Sequence, residues 1–161
     1  MGSLFGLSLF GLVLVMFLAP SFAASDAQKG RKLFKKCIAC HTVGGKAKNK
    51  VGPILNNIIG RQAGTVERYK YSKINKAAGE AGLKWTEEAI TAYLPDPNKF
   101  LRAYLKQAGK QALGRTKMTY RLKKKDEIAH IIAFLKTHSK PIEEGKSQDN
   151  TPTAPNKQKT Q

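Results

Sequence analysis

"KKCIACHTVG" (residues 35–44) sets two cysteines three positions apart with a histidine directly behind the second, and the chain has no other cysteine. Three chemistries use such a group: a redox dithiol, half of a zinc site, or an anchor for a covalently held cofactor. The surrounding sequence separates them.

A dithiol at Cys37 and Cys40 calls for a preceding strand and a βαβ surround, and the flanking residues show neither pattern. A structural zinc site needs four ligands. The chain offers two Cys and three His, and His130 and His138 both fall on one C-terminal helical segment. His130 lies well off the apolar stripe of that segment and reads as a surface histidine. His138 sits at its end, where a cation suits the helix dipole. C-x-x-C-H is the attachment signature of c-type haem. Two thiols on one helical turn can reach the two vinyl groups along one side of a porphyrin, and His41 is then placed under the iron as an axial ligand. Thioether formation also consumes both thiols, which suits an isolated pair in an oxidising compartment.

That compartment is indicated by the N-terminus. Residues 4–18, "LFGLSLFGLVLVMFL", carry no charge. A membrane span takes about 20 apolar residues, so this run is closer to a secretory signal. Ser21-Phe22-Ala23 predicts cleavage after Ala23, with Ala24 as the alternative. Residues 1–3 lack the usual Lys or Arg. The competing reading is an uncleaved anchor that tethers the protein to the membrane. With the next helical pattern starting by Ala27, almost no linker would separate membrane from domain. Export to the bacterial periplasm is the expectation, which makes the surroundings oxidising.

The formal net charge is +18. Acids and lysines beyond Pro141 cancel, so residues 25–140 hold 26 basic and 8 acidic side chains. Such a domain is steered toward acidic partners or anionic surfaces. Nucleic acid is excluded as a partner by export and by the lack of any basic-aromatic platform or recognition helix. Residues 141–161, poor in apolar side chains and rich in Thr, Gln, Asn, Lys and Pro, read as a disordered polar tail.

The domain itself, residues 25–140, reads as all-α. Asp26 is an N-cap candidate for "AQKGRKLFKKC". Thr86, Glu87 and Glu88 open a second helix, "EEAITAYL", which Pro95 and Pro97 close. A third runs from Asp126 to about Thr137, with Ile128, Ile131, Ile132 and Leu135 on one arc. Residues 42–84 are Gly-rich without strand alternation. Loops this long contribute few aliphatics to a core stabilised at about 25 cal/mol per Å² of buried apolar area, and a large apolar cofactor would supply the missing interior. Beyond the leader, Met118 in "GRTKMTY" is the single methionine. A lone methionine is usually a gap filler, but here it stands in a polar loop, where it can serve as the second axial ligand. Met/His ligation raises the reduction potential.

With "CIACH", "VGPIL", "GRQAG", "YKYSKINK", "GLKW", "AYLPDPNKF", "TKM" and "IIAFLK" in this order, residues 26–138 resemble class I cytochromes c, in particular the longer-looped bacterial cytochromes c2. The resemblance implies a small helical fold around one covalently attached haem c. It implies thioethers at Cys37 and Cys40, iron ligation by His41 and Met118, and a Pro53 carbonyl orienting the His41 ring. Arg61, Tyr71, Ser72, Asn75 and Trp85 match positions around the haem propionates, and Tyr93 matches a tyrosine near the methionine sulfur. Gly30 and Phe34 match a close crossing with Ile131 and Phe134. The segment "LRAYLKQAGKQALGR" is longer than in short mitochondrial members and lacks their Pro-Gly.

The implied function is that of a monomeric one-electron carrier between a quinol–cytochrome c oxidoreductase (bc1-type complex) and a cytochrome oxidase or photosynthetic reaction centre. Lys35, Lys36, Lys46, Lys99 and Lys117 are expected to ring the exposed haem edge. The alternative is a haem peroxidase or gas-binding sensor with an open sixth site, in which Met118 would not bind iron.

Overall fold

The computed structural model describes residues 22–140, with side chains from Asp26 onward. The expectations for the leader up to Ser21 and for the tail from Pro141 fall outside the described residues. Five α-helices follow in order: α1 (Phe22–Leu33), α2 (Lys73–Glu80), α3 (Glu87–Tyr93), α4 (Pro97–Gln107) and α5 (Lys125–Lys136). A single 3-10 turn, Phe34–Lys36, joins α1 to the cysteine motif. The only strand-like pairing among the described residues is an isolated bridge between Gln62 and Lys84.

Helix starts follow their side chains where caps exist. Thr86 Oγ1 accepts from the Ala89 N–H at 3.1 Å and opens α3. Asp96 accepts from Lys99 N–H at 3.0 Å and opens α4, with Pro97 in its first turn. Pro97 therefore starts a helix that the sequence reading left out. Proline has no N–H to lose at that position and its fixed φ is already helical. The other helix not foreseen, α2, lies inside the Gly-rich 42–84 stretch; its eight residues are too few for a clear period.

Asp26 is also placed differently from expectation. It lies inside α1, because nothing between Phe22 and Asp26 stops a helix and Ala23 and Ala24 favour one. Its Oδ1 is 3.6 Å from Lys29 Nζ and 3.3 Å from His130 Nδ1, the latter at ion-pair distance without hydrogen-bond alignment. His130 is accordingly not a surface residue but half-buried, with a side chain 20% exposed. It does lie off the α5 core stripe, yet α1 crosses over it. Gly30 makes that crossing possible, since a Cβ there would sit 1.8 Å from the His130 carbonyl oxygen and 2.7 Å from Phe134 Cβ.

Two apolar cores result. The first unites Phe34 with Ile128, Ile131, Ile132, Phe134 and Leu135, and the Phe34 and Phe134 rings lie 5.0 Å apart. The second gathers Ile74, Ala78, Leu83, Tyr93, Leu101 and Leu105. Each fully buried leucine such as Leu101 is worth about 1.5–3 kcal/mol. Trp85 and Leu94 pack against both cores. Cys37 borders the first and Met118 the second.

Candidate haem site

The cysteine motif is a tight turn closed by its own backbone. Cys40 N–H and His41 N–H both donate to the Cys37 carbonyl, at 3.0 and 2.8 Å. Both thiols are free and half-buried. Burial, helped by the neighbouring Cys40 and opposed by Lys36, pushes the Cys37 thiol up to about 11. Among the described residues, no three His, Cys, Asp or Glu side chains come together as a metal-binding group.

His41 is held on two sides. Its Nδ1 donates to the Pro53 carbonyl at 2.7 Å, which leaves Nε2 as the basic nitrogen. Gly52 lies against the ring, and a Cβ there would come within 2.3 Å of Cε1. Burial lowers the imidazole's pKa, opposed by the Pro53 bond and assisted by Arg61, a direction that favours the neutral ring a metal ligand needs. A cavity of about 300 Å³ adjoins it, bordered by Phe34, Ile38, Val43 and Phe134. The larger concavity, about 700 Å³ beside Ala27, Gln28 and Thr137, touches neither the cysteines nor Met118.

The polar residues singled out in the sequence form two groups. Arg61 spans two carbonyls, Nη1 to Asn56 at 2.8 Å and Nη2 to Ile54 at 3.1 Å; burial lowers its pKa, and Tyr71 works against that. The Tyr71 hydroxyl accepts from Val66 N–H at 3.4 Å. Its own pKa is raised by burial, with the Val66 bond and Arg61 opposing. Asn75 and Tyr93 instead converge on Thr116. Asn75 Nδ2 donates to Thr116 Oγ1 at 3.3 Å, and the Tyr93 hydroxyl lies 3.5 Å from the same oxygen. Trp85 packs edge-on against Tyr93 at 4.8 Å.

Thr116 was not singled out in the sequence, where it reads as one more polar loop residue. It is buried, at 9% exposure, and also accepts the Met118 N–H at 3.2 Å. Only its position two before Met118 could have marked it. Met118 itself is half-buried against the second core. Two of the five expected edge lysines are engaged: Lys36 pairs with Glu127 at 3.5 Å, and Lys117 Nζ donates to the Lys70 carbonyl while lying over the Tyr69 ring.

These residues fit a covalently held haem. Cys37 and Cys40 are paired on one turn, the histidine has one nitrogen committed, and Met118 borders the second core. Two buried oxygens, Ser72 Oγ and Asn75 Oδ1, have no partner among the described residues. Groups left in that way are costly unless something else completes them; a haem propionate can accept from the Ser72 hydroxyl, whereas Asn75 Oδ1 needs a donor.

The fold is that of a c-type cytochrome, and a family comparison agrees: residues 27–139 match the cytochrome c family model. The chain belongs to the cytochrome c family, and is an electron-transfer protein rather than an enzyme, with one covalently attached haem c. Within class I it is similar to the cytochromes c2. It is 56% identical over 116 residues to cytochrome c2 iso-2 of Rhodospirillum centenum, covering 71% of this chain and 96% of that one. Cytochrome c2 of Rhodopseudomonas palustris is 46% identical over 114 residues, 70% of this chain and 97% of the relative. The solved structure of cytochrome c2 from Rhodospirillum centenum superposes with a TM-score of 0.70, covering 71% of this chain and 99% of that one at 56% identity. The small helical class I fold expected from the sequence is thereby established. No described helix is long and apolar enough to cross a membrane.

Proposed function

We infer that this chain is a periplasmic one-electron carrier whose haem is bound through Cys37 and Cys40 and ligated by His41 and Met118. The haem supplies a couple between ferrous and ferric iron. The protein's own residues fix the ligands and shape the surroundings. Pro53 and Gly52 set the ring of His41. Thr116, with Asn75 and Tyr93, sets the main chain at Met118. Arg61, Tyr71, Ser72 and Trp85 are assigned to the propionate side. The observation that carries this reading is the His41 Nδ1 bond to the Pro53 carbonyl at 2.7 Å, beside Cys37 and Cys40 on the same turn.

The donor and acceptor assigned are a bc1-type complex and a cytochrome oxidase or photosynthetic reaction centre, met by a monomer through a lysine-ringed face. Lys35, Lys46 and Lys99 are exposed, as are the apolar side chains of Ile38 and Val51, at 49% and 66%. Brief, salt-sensitive encounters follow from such a surface. A visible spectrum and intact mass of protein from the periplasmic fraction test the reading. The expected result is a mass increased by one haem, removal of the leader after Ala23, and a ferric far-red sulfur-to-iron band. Haem lost to acid-acetone extraction would contradict it.

A further inference from the structure

The segment carrying Met118 is held in an unusual way. From residue 111 to residue 121 it makes no backbone–backbone hydrogen bond with any described residue; the ladder ends at Lys110 N–H to the Leu105 carbonyl and resumes at Leu122 N–H to the Leu94 carbonyl. It is also bent at two glycines in the left-handed region, Gly109 at φ 64° and Gly114 at φ 74°. Glycine adopts that conformation freely, so the local chain does little to restrict the path between them.

Side chains of α4 supply what the backbone lacks. Arg102 Nη2 donates to the Gly114 carbonyl at 2.8 Å and Nη1 to the Ala112 carbonyl at 3.3 Å. One turn earlier on the same face, Asn98 Oδ1 accepts from Thr116 N–H at 3.4 Å. The planar guanidinium fork suits two acceptors at once, which a lysine ammonium cannot match as rigidly.

We propose that Arg102 is a positioning residue for Met118, a clasp on α4 that closes the ligand segment over its otherwise unpaired stretch. This rests on the reading of Met118 as the axial ligand. Arg102 touches neither ligand; it acts through residues 112–114, which lead directly into Thr116 and Met118. Lys106, one turn further along α4, does not share the role: its side chain makes no hydrogen bond or ion pair with any described residue.

The test compares holoprotein with Arg102→Ala, Arg102→Lys and Lys106→Ala, the last removing one nearby charge and no clasp. Amide exchange at Thr116 and Met118 is followed beside denaturant loss of the ferric far-red band. Arg102→Ala should speed exchange at both amides about tenfold, with α1 and α5 unchanged, and should lose the band before the helices melt. Arg102→Lys should recover part of the effect, and Lys106→Ala should match the parent. Equal exchange in Arg102→Ala and Lys106→Ala would overturn the clasp. A parent protein without the band would instead refute the ligand reading, while the exchange rates would still decide the clasp.

Discussion

The two segments assigned to the iron are fastened by opposite means. On the histidine side, Cys40, His41, Gly52 and Leu55 are tied by backbone hydrogen bonds: Gly52 N–H to the Cys40 carbonyl at 2.8 Å, and Leu55 N–H to the Thr42 carbonyl at 3.0 Å. The Asn56 side chain closes the same loop, bonding both the N–H and the carbonyl of Gly44 at 2.9 Å. On the methionine side the backbone has no such partners, and Thr116, Asn98, Arg102 and Lys117 hold it with side chains. A segment of the first kind opens only with the fold around it; one of the second kind can open locally. Of the two proposed ligands, His41 thus stands on the segment tied by its backbone and Met118 on the one able to open locally.

The largest effect is expected where the fixed side is broken. Gly52→Val would drive a side chain into the His41 ring, whose Cε1 leaves 2.3 Å for a Cβ. Overpacking of this severity should cost about 3 kcal/mol in denaturant unfolding, as one transition shared by band and helices. Thr116→Val on the other side strands the Asn75 amide, the Tyr93 hydroxyl and the Met118 N–H. A loss of about 1–3 kcal/mol is expected, seen as earlier loss of the far-red band while helix melting by circular dichroism moves far less. If both variants shifted band and helices together, the contrast between the segments would fail.

Tyr93 sharpens the contrast through pH. Burial raises its phenol from 10.0 to about 12, with the Thr116 bond working in the opposite direction. The raised value means the folded chain keeps a proton that the unfolded chain releases. The associated stability is present in full below pH 10 and is lost as pH climbs toward about 12. Stability measured across that window should therefore fall less steeply in Tyr93→Phe than in the parent. The smallest effect belongs to Glu127→Gln, which removes the exposed pair with Lys36 at 3.5 Å and the one with Lys124 at 3.3 Å. Less than about 1 kcal/mol should be lost.

Much of this was legible in the sequence because its carriers are local. A five-residue motif, the apolar arc of α5 and the Thr86 cap each sit within one or two turns. Gly30 and Phe34 were found by resemblance, and the crossing they make is the one in the structure. What could not be read depends on chain segments far apart meeting. His130 looks like a surface residue until α1 is laid across α5. Thr116 looks like loop filling until Asn75, Tyr93 and the Met118 N–H are brought to its hydroxyl. Pro97 reads equally as the end of α3 or the start of α4, and only the Asp96 cap decides it.

The central claim is that Met118 and His41 together hold the iron of an electron carrier. The reduction potential and ferric far-red spectrum of Met118→Ala test it most directly. The account predicts that the band disappears and the potential falls, since methionine ligation raises it. A variant that keeps both the band and the potential of the parent would contradict it.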